Sequence, residues 1–249
     1  MNMAKLAIIG GTGLTSLKGL AIIRREVMHT PYGEPSAPLV FGEMAGREVM
    51  FLPRHGAGHT IPPHKVNYRA NLWALKESGA EKVIAVNAVG GIRADMTPGR
   101  LVIPDQIIDY TWSRINTYFE EGLTSVTHID FTDPYCESLR ADMLGCAAEI
   151  ELDVIAGGTY AATQGPRLET AAEIDRLERD GCDLVGMTGM PEAALARELE
   201  LCYACVAVVA NMGAGRGDGA ITMEMIERHL SSGLADVRRL LEQVVPRLA

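Results

Sequence analysis

Residues 82–91 read KVIAVNAVGG, a nearly continuous apolar run that ends in two glycines. A run of this length with glycine at its end is typical of a strand that is buried on both faces of a sheet. Strands of that kind occur in α/β proteins, in which helices cover both faces of the sheet. The stretch therefore predicts a central strand over 82–89 in an α/β fold.

Short β-rich runs alternate with amphipathic helices on both sides of this strand in the sequence. Further strands are predicted over 5–9, 47–52, 101–108, 153–162, 183–187 and 202–210. Helices are predicted over 66–77, 170–180 and 191–200. The last helix has the clearest period, with apolar residues three or four apart at Ile226, Leu230, Leu234, Val237, Leu241 and Val244. No linker, repeat or low-complexity segment interrupts the chain, so we predict one domain over 1–249.

The composition excludes several classes of protein. The chain has 249 residues and a net charge of −9, which argues against a general nucleic-acid binder because no basic stripe is available to neutralise phosphates. No run of about 18 apolar residues occurs, and the N-terminus lacks the apolar stretch of a signal peptide. These features predict no membrane segment and a cytoplasmic location.

The cysteines show no disulfide pattern. They are too few and too scattered for a disulfide framework, at Cys136, Cys146, Cys182, Cys202 and Cys205. Cys202 and Cys205 have the spacing of a redox motif, but they lie inside an apolar run rather than at a helix N-terminus. We therefore expect reduced thiols, with these two cysteines buried as small hydrophobes.

Two strand ends carry residues that suit an anion. Gly10-Gly11-Thr12-Gly13 follows the first strand, and its backbone amides fit equally well a nest around phosphate or a tight turn into the next element. It is not a dinucleotide fingerprint, because Ser16 stands where the third glycine belongs. Arg54-His55-Gly56 follows another strand, and the arginine fork and the histidine can both donate to phosphate. Since ligands of α/β proteins bind at strand ends, both segments are candidate anion sites.

Other polar residues have ordinary interpretations when they are taken singly. His55, His59 and His64 fit no zinc spacing, and no cysteine or carboxylate set completes them, so no metal is predicted. Glu169 stands at the start of a predicted helix, where an acidic residue complements the helix dipole. Asn211 ends a strand, where asparagine is common in turns.

Several motifs occur together in one order along the chain. They are IIGGTGL (8–14), RHG with HT (54–56 and 59–60), KVNYRAN (65–71), HI with a following proline (128–134), GPR (165–167), and VGMT with PE (185–188 and 191–192). This set resembles the purine nucleoside phosphorylase and methylthioadenosine phosphorylase family, in its trimeric branch. The resemblance extends over residues 5–240 without large gaps.

The resemblance implies a three-layer αβα sandwich around a central mixed β-sheet, with the active site at the strand ends. The phosphate ligands that it implies are Thr12, Arg54, His55, Asn87, Ala88 (through its backbone amide) and Thr188. Asn87 departs from the threonine of the methylthioadenosine enzymes, although its amide is still expected to donate to phosphate. Met187 is implied to contact the ribose, and Met212 and Gly213 are expected to bind substrate beside Asn211. The resemblance also implies a homotrimer, alone or paired into a hexamer, and no cofactor, because inorganic phosphate is a co-substrate.

Two positions predict the base. The adenine-specific members of the family have serine where this chain has Glu169 and aspartate where it has Asn211, whereas the inosine- and guanosine-cleaving members have glutamate and asparagine. A 6-oxopurine carries an N1–H donor for the Glu169 carboxylate, whereas N1 of adenine is an acceptor. Asn211 can donate to O6 or, after its amide turns, interact with N7. We therefore predict a 6-oxopurine base.

The 5′ position predicts a thioether. Ordinary members of the family place a histidine near the 5′-hydroxyl, whereas the corresponding region here offers Met223 and Ile226. A buried hydroxyl loses a hydrogen-bond partner against these side chains, but a thioether suits them. His128 is expected to reach the 5′ pocket of a neighbouring subunit. The predicted reaction is phosphorolysis of 5′-methylthioinosine to hypoxanthine and 5-methylthioribose 1-phosphate. The alternative enzymes are a general inosine/guanosine phosphorylase, a methylthioadenosine phosphorylase and a nucleosidase that needs no phosphate. A further alternative is a nucleotide-binding or regulatory protein without turnover.

Overall fold

The structure, a computed structural model, describes residues 5–217 and 219–248. The prediction that the N-terminus has no signal peptide concerns in part residues 1–4, which lie outside the described residues. The strands of the described part form one sheet: β1 (Leu6–Gly10), β2 (Ala21–Glu26), β3 (Leu39–Met44), β4 (Arg47–Pro53), β5 (Lys82–Gly91), β6 (Leu101–Ile103), β7 (Gln106–Asp109), β8 (Val154–Ala156), β9 (Thr159–Ala162), β10 (Leu184–Gly186) and β11 (Cys202–Met212). Its α-helices are α1 (Tyr68–Glu77), α2 (Glu137–Glu149), α3 (Ala171–Arg179), α4 (Gly189–Glu198) and α5 (Met223–Leu248).

Strand β5 runs through the centre of the sheet, as its sequence predicts, and determines where the site lies. On one side, β11 pairs with it in parallel over residues 82–91. On the other side, β1 pairs in parallel with residues 82–85, and β10 pairs antiparallel with residues 90–91. Residues 86–89 therefore border a gap on that side, just beyond the carboxyl ends of β1 and its parallel neighbour β4. This is the edge of an α/β sheet at which ligands bind.

Helices cover both faces of the sheet. On one face α1 and α4 pack against each other, and Leu72 and Leu195 join the strand residues in a buried core. On the other face α2 and α5 pack together, and Met143 and Val237 belong to a second core. The three-layer αβα sandwich with a mixed sheet is therefore confirmed, because β10 and β6 run antiparallel to strands that otherwise pair in parallel.

Several element boundaries differ from those that the sequence predicts. The predicted strand over 101–108 is divided by Pro104 and Asp105 into β6 and β7, and the one over 153–162 is divided by Gly157 and Gly158 into β8 and β9. Both glycines have positive φ, at 82° and 131°, which a continuous strand does not accommodate. The sequence reading also missed β2, β3 and α2. Strand β2 lies at the sheet edge with most of its residues exposed, so it lacks an alternating apolar pattern.

The prediction of unpaired cysteines is wrong for two of them. Cys136 and Cys202 form a disulfide although they are 66 residues apart in sequence. The backbone N–H of Cys136 donates to the carbonyl of Tyr203 at 2.8 Å, which places the start of α2 beside the start of β11. This proximity is a product of tertiary packing that the spacing of the cysteines cannot show. Cys205 is a buried free thiol, as predicted.

Within residues 5–217 and 219–248, no helix is both long enough and apolar enough to cross a membrane.

Candidate active site

A cavity of about 500 Å³ opens at the gap beside β5. Its wall is formed by the ends of β5, β10 and β11, by the segments that follow β1, β4, β9, β10 and β11, and by the first turn of α5. The sequence-predicted residues on this wall are Thr12, Arg54, His55, Ala88, Glu169, Met187, Thr188, Asn211, Gly213, Met223 and Ile226. The fold thus brings together eleven residues that are spread over more than 200 positions of the chain.

The segment after β1 packs closely against β5 and Arg54 at Gly11. A Cβ atom on Gly11 would lie 2.5 Å from the carbonyl oxygen of Val86 and 2.9 Å from Nη1 of Arg54. Both distances are too short for any side chain, so glycine is required at position 11. This close approach puts the Thr12 hydroxyl on the cavity wall beside the ends of β4 and β5.

Arg54 is fully buried and held by protein acceptors on almost every side. Its Nε and Nη2 donate to the two carboxylate oxygens of Glu192 at 2.7 and 2.8 Å. Its Nη1 donates to the carbonyl of Val86 at 3.0 Å, and Nη2 also donates to Oδ1 of Asn87 at 3.2 Å. Burial lowers the pKa of Arg54, but the charge and hydrogen bonds of Glu192 outweigh this and raise it above its ordinary value. The guanidinium therefore stays charged, and one of its five N–H donors, on Nη1, is left for a ligand.

Glu192 was not among the predicted site residues, although it belongs to the motif VGMT with PE that carries the family resemblance. Its side chain is fully buried, and the hydroxyl of Tyr203 donates to its Oε1 at 2.8 Å. A buried carboxylate needs a charged partner, and Arg54 is that partner. The signal that could have found it is a glutamate in α4 directly before the apolar residues 193–196.

Asn87 lies behind the cavity wall, where only 1% of it is exposed. Its Nδ2 donates to Oγ1 of Thr188 at 3.0 Å and its Oδ1 accepts from Arg54. Thr188 is the residue that precedes α4, but its side chain makes no hydrogen bond to the helix that follows. The Thr188 hydroxyl is therefore held by Asn87 and lies on the cavity wall.

Two histidines border the same end of the cavity. Nδ1 of His55 is 2.8 Å from the carbonyl oxygen of Ile61, to which it donates. Burial and the nearby charge of Arg54 lower the pKa of His55 to about 4. His59, which was not predicted as a site residue, lies on the wall with Nε2 3.2 Å from the hydroxyl oxygen of Thr12. Its φ of 51° is unusual for a residue other than glycine, and such backbone strain clusters at functional sites.

The opposite end of the cavity carries Glu169 and Asn211. The hydroxyl of Thr163 donates to Oε1 of Glu169 at 2.6 Å, which orients the carboxylate and leaves Oε2 for a ligand. Nδ2 of Asn211 donates to the carbonyl of Met212 at 2.7 Å. This bond leaves one N–H donor and the Oδ1 acceptor of Asn211 for a ligand.

Apolar side chains form the remaining wall. They include Met187, Ile221, Met223 and Ile226. The helix α5 also carries His229, but its Nδ1 lies 3.0 Å from the carbonyl oxygen of Ala210 and the side chain does not contribute to the wall. The first turn of α5 is open to solvent, since Met223 is 63% exposed.

Three predicted residues do not lie on the wall of this cavity. Asn87 is behind the wall, Met212 contributes only the carbonyl that orients Asn211, and His128 stands on an exposed loop. His128 is expected to reach the 5′ pocket of a neighbouring subunit and not the cavity of its own chain, so its role stays a prediction.

Among the described residues, no group of three or more histidine, cysteine or acidic side chains is arranged to hold a metal ion. The predicted absence of a metal or cofactor stays a prediction.

Residues 5–246 match the phosphorylase superfamily, and the chain belongs to this family. It is 56% identical over 243 residues to a probable S-methyl-5′-thioinosine phosphorylase of Pseudomonas syringae pv. tomato, and the alignment covers 98% of this chain and 99% of the relative. It is 44% identical to a probable 6-oxopurine nucleoside phosphorylase of Thermococcus kodakarensis, with 98% and 92% covered. Among solved structures, it is similar to the methylthioadenosine phosphorylase of Schistosoma mansoni in complex with adenine, with a TM-score of 0.93, 32% identity, and 98% of this chain and 91% of that chain covered.

Proposed function

We propose that this protein cleaves 5′-methylthioinosine with inorganic phosphate and releases hypoxanthine and 5-methylthioribose 1-phosphate. The observation that carries the proposal is the make-up of one cavity. It has buried anion donors at one end, the Glu169 carboxylate with a free oxygen at the other, and apolar side chains along the remaining wall. Similarity to the relative from Pseudomonas syringae pv. tomato supports the same substrate.

The phosphate end supports a nucleophile that is held in place before the reaction. Thr12, the free N–H of Arg54, the backbone amide of Ala88 and the Thr188 hydroxyl are proposed to donate to the phosphate oxygens. His55 is neutral and its Nδ1–H donates to Ile61, so its Nε2 is an acceptor and is proposed to accept from the hydroxyl group of HPO4²⁻. An oxygen of HPO4²⁻ attacks C1′ from the face opposite the base, and the C1′–N9 bond breaks with its electron pair moving to the purine. The purine takes up one proton to become hypoxanthine, which balances the proton that the phosphate loses. Bound phosphate stabilises the oxocarbenium-like transition state by its negative charge, so no covalent enzyme intermediate is needed.

The base end supports a 6-oxopurine. Oε2 of Glu169 can accept from N1–H of hypoxanthine, whereas N1 of adenine would face it as a second acceptor. The free N–H of Asn211 can donate to O6 or N7 as negative charge develops on the departing base. A mismatched buried polar pair costs about 1–3 kcal/mol, which is enough for this carboxylate to select the base.

The apolar wall supports a methylthio group at the 5′ position. Met187, Met223 and Ile226 offer no hydrogen-bond partner for a hydroxyl but pack well against a thioether. The histidine of α5 is bonded to the Ala210 carbonyl and is not placed to receive a 5′-hydroxyl.

One assay tests the proposal. Base release is measured with and without phosphate from inosine, adenosine, 5′-methylthioinosine and 5′-methylthioadenosine. We expect rapid, phosphate-dependent release of hypoxanthine from 5′-methylthioinosine and much slower release from the other three. Similar rates with inosine would overturn the 5′ assignment, and rapid release of adenine would overturn the base assignment. Release without phosphate would show a nucleosidase, and purine binding without release would show a protein that binds but does not react.

We further propose that the chain acts as one domain in a cytoplasmic homotrimer, with His128 reaching the 5′ pocket of a neighbouring subunit. The chain has a mass of 26.8 kDa, so a native mass near 80 kDa by light scattering is expected, or twice that for a pair of trimers. His128→Ala is expected to raise KM for 5′-methylthioinosine without changing KM for phosphate.

A further inference from the structure

The Thr188 side chain is held by a side chain of the sheet and not by the helix that follows it. Met190 has non-helical dihedral angles (φ −119°, ψ 140°), so the first residues of α4 form no regular turn whose backbone N–H groups a threonine would cap. The Thr188 side chain makes no such bond, and Oγ1 instead accepts from Nδ2 of Asn87 at 3.0 Å. Thr188 is 6% exposed and borders the cavity.

The direction of the hydrogen bond from Asn87 to Thr188 is fixed by the donors of Arg54. Arg54 has N–H donors and no acceptor, so the group of Asn87 that faces it at 3.2 Å has to be the carbonyl oxygen Oδ1. The amide group Nδ2 then faces Thr188 and Tyr160, at 3.0 and 3.4 Å. Arg54 itself is fixed by its two bonds to Glu192. The order Glu192–Arg54–Asn87–Thr188 therefore has one consistent set of donors and acceptors.

This order determines what the Thr188 hydroxyl can do. Because Oγ1 already accepts from Asn87, its proton is free to donate to a group in the cavity. The side-chain amide of Asn87 is itself spent on Arg54, Thr188 and Tyr160, and Asn87 does not reach the wall. A ligand in the cavity thus meets the hydroxyl of Thr188 and not the amide of Asn87.

We propose that Asn87 is a positioning residue that turns the Thr188 hydroxyl into a donor for inorganic phosphate, and is not itself a phosphate ligand. Glu192 completes the arrangement, because it fixes the arginine that fixes the amide. This inference rests on the proposed function, since it takes phosphate as the ligand, and it revises the role that the sequence suggested for Asn87.

A double-mutant cycle tests the proposal with Asn87→Ala, Thr188→Val and the double variant. The KM for phosphate is measured at saturating nucleoside, and the KM for nucleoside at saturating phosphate. Thr188→Val is expected to raise KM for phosphate roughly 10- to 100-fold, because it removes a hydrogen bond to a charged ligand. Asn87→Ala is expected to raise it about fivefold in the parent protein but less than twofold beside Thr188→Val, since its effect passes through Thr188. Neither change is expected to raise KM for nucleoside.

Equal effects of Asn87→Ala in the two backgrounds would overturn the proposal and make Asn87 a direct phosphate ligand. An equal rise in both KM values would also overturn it, because it would show a general structural role. If Asn87→Ala does not fold, the same cycle is run with Asn87→Ser, which also removes the amide. Calorimetric titration of inorganic phosphate into the four proteins gives the same comparison without turnover. Absence of base release from every nucleoside would therefore overturn the proposed function, while the calorimetric cycle still decides the role of Asn87.

Discussion

The two ends of the cavity, which we name the phosphate end and the nucleoside end after their proposed ligands, are built in different ways. At the phosphate end, Arg54, Glu192 and Asn87 are almost completely buried, and nearly all their polar atoms have protein partners. At the nucleoside end, Glu169 is held by a single side-chain hydrogen bond, and Met223 is 63% exposed. The phosphate end is part of the core of the protein, whereas the nucleoside end is assembled from loops, the end of β11 and the first turn of α5.

This difference matches the two tasks of the site. A group that must hold a charged nucleophile benefits from fixed donors in a dry environment, where they need no rearrangement during the reaction. A group that selects a substrate can lie at the surface, where substitutions cost little stability. We therefore expect changes at the phosphate end to damage folding and all substrates alike, and changes at the nucleoside end to alter substrate choice alone.

The largest effect is expected at Glu192. Glu192→Ala leaves the guanidinium of Arg54 buried without its counter-ion, and removal of one partner of a buried pair costs about 3–5 kcal/mol. Denaturant unfolding is expected to show this loss, together with loss of activity on every nucleoside. Glu81→Ala, which breaks the exposed pair with Lys5, is the matched control and is expected to leave the unfolding free energy unchanged. An unfolding free energy of Glu192→Ala equal to that of the parent would remove the distinction between the two ends.

The next effect is expected at Glu169. Glu169→Ser removes the acceptor for N1–H, and a hydrogen bond to a charged group contributes about 1.5–3 kcal/mol, or roughly a 10- to 150-fold change in rate. The kcat/KM for 5′-methylthioinosine is expected to fall by this factor, whereas that for 5′-methylthioadenosine stays constant or rises. The unfolding free energy is expected to change little. Equal losses with both nucleosides would contradict the role of Glu169 in base selection.

A smaller effect on the free energy of unfolding is expected from protonation of His55 at acidic pH. The unfolded chain protonates this histidine near its ordinary pKa of about 6.5, but burial and Arg54 lower the pKa in the folded protein to about 4. Between these values the unfolded state binds more protons, so stability decreases as the pH falls. The linkage relation gives a loss of about 2 kcal/mol at pH 5 compared with neutral pH. His55→Asn is expected to show a correspondingly flatter profile in unfolding experiments at pH 5 to 7.5, and an unchanged profile would contradict the assignment.

The smallest effect is expected at Met223. Met223→His introduces a polar group at the exposed 5′ end of the cavity. The ratio of kcat/KM for 5′-methylthioinosine to that for inosine is expected to fall about three- to tenfold, which corresponds to at most about 1.36 kcal/mol. Met225→His, two positions along the same helix and off the cavity wall, is the control and is expected to keep the preference. A loss of stability comparable to that of Glu192→Ala would contradict the surface character of this end.

Much of the fold could be predicted from local pattern. The apolar run at 82–91 is the central strand, and the period of the last helix appears as α5, which covers the second core. Strand β2 and His59, which were missed, have no local signature. β2 is an exposed edge strand, and His59 is distinguished only by a backbone conformation and a contact with Thr12 that is 47 residues away.

The sequence by itself determined the α/β alternation through its hydrophobic period, and through its resemblance to a known family it indicated that family and eleven of the residues on the cavity wall. Only the tertiary structure decided that Cys136 bonds to Cys202, that Glu192 neutralises Arg54, and that Asn87 stands behind Thr188. Glu192 lies 138 positions from Arg54, and Thr188 lies 101 positions from Asn87. Such partners are chosen by burial, since a charge or amide removed from water binds whatever complementary group the packing of the sheet and helices brings within reach.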